Sequence, residues 1–105
     1  MSEQEIVSTI KATIHALLPN ARILLFGSRA KGNNTAISDY DLLIVTEGSL
    51  SDAEKSTWRN RLNKLLVGVL HAPVDILINS EKEITVKKEF PGHVVQWAIK
   101  EGVWL

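Results

Sequence analysis

Ile23-Leu24-Leu25-Phe26-Gly27-Ser28, then ten residues, then Asp39-Tyr40-Asp41-Leu42-Leu43 decide how this chain is read. Four apolar residues that stop at a glycine have the pattern of a buried strand. Tyr40 to Thr46 reads as a second strand. Between the two, residues 28–38 are polar and hold Gly32, Asn33, Asn34 and Thr35, which predicts a turn or short helical segment followed by a loop. Side chains alternate faces along a strand, so Asp39 and Asp41 point the same way, about 6–7 Å apart. Two ionised carboxylates drawn to about 4 Å would repel by about 4 kcal/mol at an effective dielectric of about 20. A cation between them, or a proton on one, resolves that repulsion. Two hard cations about 3.5–4 Å apart suit the spacing.

Outward from this stretch, residues 4–18 carry Ile6, Ile10, Ile14, Leu17 and Leu18 at helical spacing, and Pro19 and Asn20 end the run. On the other side Ser51 starts a long helix, with Glu54 completing a capping box. Trp58, Leu62, Leu65, Leu66 and Val69 form its apolar face, and Ala72-Pro73 break it. Val74-Asp75-Ile76-Leu77-Ile78 is a third strand. A charge inside such an apolar run is costly unless it is paired or metal-bound, and a cation shared with Asp39 and Asp41 would remove that cost. The charged stretch from Ser80 to Glu89 reads as a solvated connection. A last helix spans about His93 to Glu101, and Gly102 caps it. Helices alternating with short strands make an α/β (α+β) domain with a mixed sheet of three to four strands and about four helices.

The Gly27-Ser28 corner has its own chemistry. Glycine permits close backbone approach, and N–H groups at a helix start attract anions. Arg29 and Lys31 add positive charge nearby. This is not a Walker A loop, because Asn33-Asn34 stands where Lys-Ser/Thr is required. His15, His71 and His93 lack metal-ligand spacing and read as structural or surface. Trp58 and Trp97 read as core, whereas an exposed Trp104 would mark a contact with a partner.

The 105 residues, 45% of them apolar, suit one domain spanning 1–105. The absence of cysteine excludes disulfides and thiolate metal sites and points to a reducing compartment, the cytoplasm. Twelve basic residues balance twelve acidic ones, which makes non-specific nucleic-acid binding unlikely on charge grounds. Neither a signal peptide nor a membrane span is recognisable.

Gly27-Ser28-Arg29-Ala30-Lys31-Gly32, followed by Ser38-Asp39-Tyr40-Asp41-Leu42-Leu43 and by Asp75 inside a later strand, resembles the signature of the polymerase-beta-like nucleotidyltransferase superfamily. The resemblance is to its minimal nucleotidyltransferase branch in particular, and it extends to Lys100-Glu101-Gly102. It implies that Asp39 and Asp41 bridge two Mg2+ ions, with Mn2+ as a substitute. Asp75 would complete the site that activates an acceptor hydroxyl. Gly27 and Ser28 would bind the triphosphate, with Arg29 and Lys31 as further phosphate contacts. It also implies a nucleoside triphosphate, ATP first, as donor, and a small all-helical HEPN-type toxin as partner and acceptor.

Two rival readings stand beside this enzyme. One is an antitoxin that acts by covering its partner, with catalysis secondary. The other is a domain that senses nucleotide without turning it over. A homo-oligomer could supply a second wall for a small-molecule acceptor.

Overall fold

In the computed structural model the two decisive runs lie side by side. β1 (Arg22–Phe26) pairs antiparallel with β2 (Tyr40–Thr46). The structure describes residues 1–32 and 38–105, so the loop expected around Asn33, Asn34 and Thr35 lies outside the described residues. β3 (Val74–Ser80) pairs parallel with β2, as the long helix between them requires. A two-residue β4 (Val103–Trp104) pairs antiparallel with β1 and completes a mixed sheet in the order β3-β2-β1-β4.

Helices cover both faces. On one, Ile10 and Ile14 of α1 (Glu3–His15) and Leu62, Leu66 and Leu70 of α3 (Asp52–Leu70) pack on Ile23, Tyr40, Leu42, Ile44, Val74, Ile76 and Ile78. α2 (Ser28–Lys31) is the single turn that follows β1. On the opposite face, Ile84 of α4 (Glu81–Lys87) and Val95 and Ala98 of α5 (Val94–Glu101) pack on Leu24, Phe26, Leu43 and Val45. Double coverage explains why Leu42 to Val45 are wholly buried and why β2 reads as a continuous apolar run. Among the described residues there are four strands and five helices, one helix more than the sequence reading.

The extra helix is α4, in the stretch whose charge predicts a solvated connection. Its charges are on the surface, but its start carries the same device as the long helix. The Ser80 hydroxyl accepts from the Glu83 N–H at 3.1 Å, and the Ser80 N–H donates to Glu83 at 2.9 Å. Ser51 with Glu54 and Ser2 with Glu5 form the same capping box. Glu83 also meets Lys55 at 2.6 Å, joining α4 to α3. Burial raises the Glu83 carboxyl, but the Lys55 and Ser80 hydrogen bonds and the charges of Lys55 and Lys87 prevail and hold it at about 2.

α1 ends at His15 rather than at Leu18, and Leu17 and Leu18 follow it as a turn bonded back to Ile14. The histidines have structural tasks. The His15 Nε2 lies 2.9 Å from the Ala21 carbonyl, His71 caps α3 with φ 53°, and the His93 Nδ1 accepts from the Val95 N–H.

Gly102 caps α5 in an extended conformation, φ −86°. Left-handed backbone is therefore not the reason for a glycine there; close approach is. A Cβ would stand 2.5 Å from the Ala98 carbonyl, 2.9 Å from the Leu25 carbonyl and 2.9 Å from the Leu24 side chain. Gly102→Ala should therefore cost about 1–3 kcal/mol as overpacking. A thermal melt should show Tm lower by at least about 5 °C. Gly68→Ala, on the exposed side of α3 with nothing within 4 Å, should raise Tm instead. Equal melts for the two variants would disprove the packing role of Gly102.

Candidate active site

Asp41 and Asp75 are direct register partners across the parallel β2–β3 pair. Adjacent strands lie about 4.8 Å apart, and partners in register project to the same face. That face is fixed by the neighbours. Leu43 and Val45 belong to the cluster under α4 and α5, so Asp41, two residues before Leu43, shares their side. Leu77 packs on the same cluster, which places Asp75 there too. Both acids occupy the end of the face where helix cover runs out. Asp41 is half-buried and Asp75 exposed. Asp39 stands just before β2, exposed, with the parity of Asp41.

The start of these strands is held firmly. The Tyr40 N–H donates to the Pro73 carbonyl at 2.9 Å, and the Asn63 amide donates to the Val74 carbonyl at 2.5 Å. Arg29 acts at the same place. Its Nε and Nη2 donate to the Ser38 carbonyl at 3.0 and 2.8 Å, and its guanidinium lies 3.8 Å from the centre of the Tyr40 ring. Thus Arg29 fastens α2 to the residue that leads into Asp39. Lys31 reaches another way, 3.8 Å from the Glu101 carboxylate and 5.7 Å from the Trp97 ring centre.

Gly27 makes the corner. With φ 77° and ψ −158° it holds backbone that side-chain-bearing residues avoid. It also leaves room for Asp41, because a Cβ at Gly27 would fall on the Asp41 Oδ2. The Asp41 carboxylate therefore rests directly against the Gly27-Ser28 corner. Gly27 itself is the N-cap of α2, so Ser28 is the first helical residue and its hydroxyl is not used as a cap.

Burial pushes the Asp41 carboxyl above its ordinary range, and the negative charges of Asp75 and then Asp39 push it further. None of the ion pairs among the described residues involves Asp39, Asp41 or Asp75. Nor do any three His, Cys, Asp or Glu side chains among them stand in a ready metal-holding group. The arrangement is a register-matched acid pair with a third acid at its approach and, among the described residues, no protein cation in ion-pair contact. The three groups are carboxylates, the donor type that hard divalent cations prefer, but among the described residues they are not drawn together into a set that would already hold one.

Sequence reasoning placed Trp97 in the core, yet it is 43% exposed. Val95 and Ala98 form the buried stripe of α5, and Trp97 falls beside that stripe, which the helical spacing alone would have indicated. Its ring meets Phe26 edge-on, with centroids 5.6 Å apart. Trp58 packs against the core as expected, and Trp104 is 41% exposed with the Arg22 guanidinium 4.3 Å from its ring centre.

The family model of the nucleotidyltransferase domain matches residues 7–103. No curated protein matches by sequence. Solved structures do match. One described as a minimal nucleotidyltransferase is 21% identical, with TM-score 0.65, over 100% of this chain and 97% of the other. A chain of a toxin–antitoxin complex with AMP-PNP is 18% identical, with TM-score 0.65, over 98% and 72%. A chain of the tri-AMPylated Shewanella oneidensis HEPN toxin in complex with its MNT antitoxin is 17% identical, with TM-score 0.62, over 98% and 71%. At these identities the likeness is one of fold.

Proposed function

The chain belongs to the nucleotidyltransferase domain family, and from that premise we propose that it moves AMP from ATP onto a hydroxyl of a partner protein, a small helical toxin of the HEPN kind. The observation that carries this reading is the register match of Asp41 with Asp75 beside Gly27. It puts a cation-seeking acid pair next to a backbone corner suited to phosphate. The matching toxin–antitoxin structures, one with AMP-PNP and one with an AMPylated HEPN toxin, favour this donor and this partner class.

In this reading Asp39 and Asp41 would hold the ions that accompany the triphosphate, and Asp75 would complete the site of the ion that activates the acceptor hydroxyl. Bound there, two Mg2+ ions would lower the pKa of that hydroxyl and neutralise charge on the departing pyrophosphate. The N–H groups of the first turn of α2 lack intrahelical acceptors and would receive phosphate oxygens together with the Ser28 hydroxyl. Arg29 fixes the Ser38-Asp39 approach so that the acids keep their geometry. Lys31 would add charge at the corner.

Incubating the chain with a HEPN partner, ATP and Mg2+ should add AMP to the partner, read by intact-mass spectrometry. No added mass at any ratio of the two proteins would defeat the proposal.

The rival, neutralisation by covering the partner, draws on exposed apolar side chains at Val94 and Trp97 on the last helix, at Val103 and Trp104 on β4, and at Leu65 and Val69 on α3, which helical spacing assigns to the apolar face but which the fold leaves open. The double variant Asp39→Asn/Asp41→Asn separates the two. Full neutralisation of the toxin by that variant would favour covering, and its loss with complex formation intact would favour transfer.

A further inference from the structure

We propose that Trp97 is the platform on which the nucleobase of the triphosphate stacks. This rests on the nucleotidyltransferase reading and adds to it a residue that positions the donor.

The first ground is placement. Phe26 is the register partner of Asp41 and directly precedes Gly27. Trp97 packs edge-on against Phe26, at 90° between ring planes. The indole therefore stands on the same sheet face as Asp41 and Asp75.

The second ground is exposure. Trp97 leaves 43% of its surface open while Val95 and Ala98, its neighbours on α5, are buried. An indole of that size held at a fixed angle by Phe26 is pre-organised for a flat partner. The third ground is charge. The Lys31 ammonium lies over the indole ring, 5.7 Å from its centre, and is loosely paired with Glu101 at 3.8 Å, so a stacking base would take the place of this ammonium on the ring. Lys31 is the last residue of the turn that begins at the Gly27-Ser28 corner, and, displaced by the base, it would be available to the phosphates of a nucleotide stacked on the indole and anchored at that corner.

Stacking on an aromatic ring tolerates any base with a wide π-face and reads no hydrogen-bond pattern. The expected specificity is therefore broad among purines, with ATP and GTP bound within a few-fold of each other and UTP and CTP more weakly.

The test uses the full chain carrying Trp58→Phe and Trp104→Phe, which leaves Trp97 as the sole indole reporter. ATP with Mg2+, in the absence of any partner protein, should quench its fluorescence saturably. Inorganic tripolyphosphate with Mg2+ should compete with ATP without quenching. In the otherwise native chain, Trp97→Leu should weaken ATP binding about 10-fold. It should leave tripolyphosphate affinity unchanged, and Trp97→Phe should restore most of the loss.

Unchanged ATP affinity in Trp97→Leu would overturn the proposal. So would an equal loss for ATP and tripolyphosphate, which would mark Trp97 as a packing residue only. Absence of quenching without partner, with ATP binding intact by calorimetry, would assign the indole to the acceptor and overturn it as well. If the native chain binds neither ATP nor tripolyphosphate, the nucleotide site itself falls and the platform with it.

Discussion

Asp41→Asn should lower the proposed nucleotide transfer by at least about a thousandfold and should raise the melting temperature at neutral pH. The two effects have one origin. Asp41 is the acid pressed against Gly27, paired in register with Asp75 and approached by Asp39. Preorganised charge aimed at the reacting phosphate is commonly the largest single contribution to catalysis, and losing a central element of it costs about 10²–10³ or more. Yet the same carboxylate is a burden on the fold. Burial, then Asp75, then Asp39 raise its pKa above the ordinary value of 3.8. Between that value and the raised one, the folded chain holds more protons than the unfolded chain, so stability falls as pH rises through this window. At neutral pH the ionised group therefore destabilises the fold, and an uncharged amide of the same shape does not.

The melting advantage of Asp41→Asn over the parent should shrink as pH drops below the raised pKa, where the parent protonates. Mg2+ should raise the parent's Tm and leave the variant's nearly unchanged, because ion binding relieves the same repulsion. Differential scanning fluorimetry across pH, with and without Mg2+, reads all of this. A variant that melts below the parent at pH 7, or that still transfers nucleotide at more than about a hundredth of the parent rate, would contradict the account.

Gly27→Ala should reduce transfer by at least about a hundredfold and destabilise the chain by about 1–3 kcal/mol. Two separate costs act. The backbone at φ 77° and ψ −158° is one that L side chains rarely adopt. In addition the new methyl would land on the Asp41 Oδ2 and sit 3.1 Å from its Cγ. The carboxylate must then swing away from the corner, and a shift of about 1 Å at a reacting centre can cost about 10² in rate. A double-mutant cycle with Asp41→Ala divides these costs. Removing the carboxylate should recover the steric part of the stability loss and leave the backbone part. Strict additivity would show that the close approach of Gly27 and Asp41 carries no energy.

Much of this was legible in the residues because the relevant rules are local. A four-residue apolar run ending in glycine had to be a strand, and the uninterrupted burial of Leu42 to Val45 followed from cover on both faces. Asp75 announced itself as a charge inside an apolar run. What stayed hidden was three-dimensional. Nothing in the order of residues says that Asp75 falls opposite Asp41 rather than opposite Leu42 or Leu43; the register does. Arg29 is expected as a phosphate contact, and what no residue pattern shows is its further tie to the Ser38 carbonyl and the Tyr40 ring at the approach to Asp39. α4 was readable and was missed, since Ser80 and Glu83 repeat the motif recognised at Ser51 and Glu54. The charge of the stretch outweighed its cap. For Trp97, the narrow buried stripe of a two-turn helix was mistaken for burial all round.

The parallel pairing of β2 with β3 has a bearing on biogenesis. The two facing acids are separated by the whole of α3 and become neighbours only when that helix has folded back and delivered β3 to the sheet edge. A chain still emerging from the ribosome, with Asp39 and Asp41 free but β3 inside the exit tunnel, holds acids and no assembled centre. Under the proposed function, a half-made copy would have no complete acid centre with which to consume nucleotide.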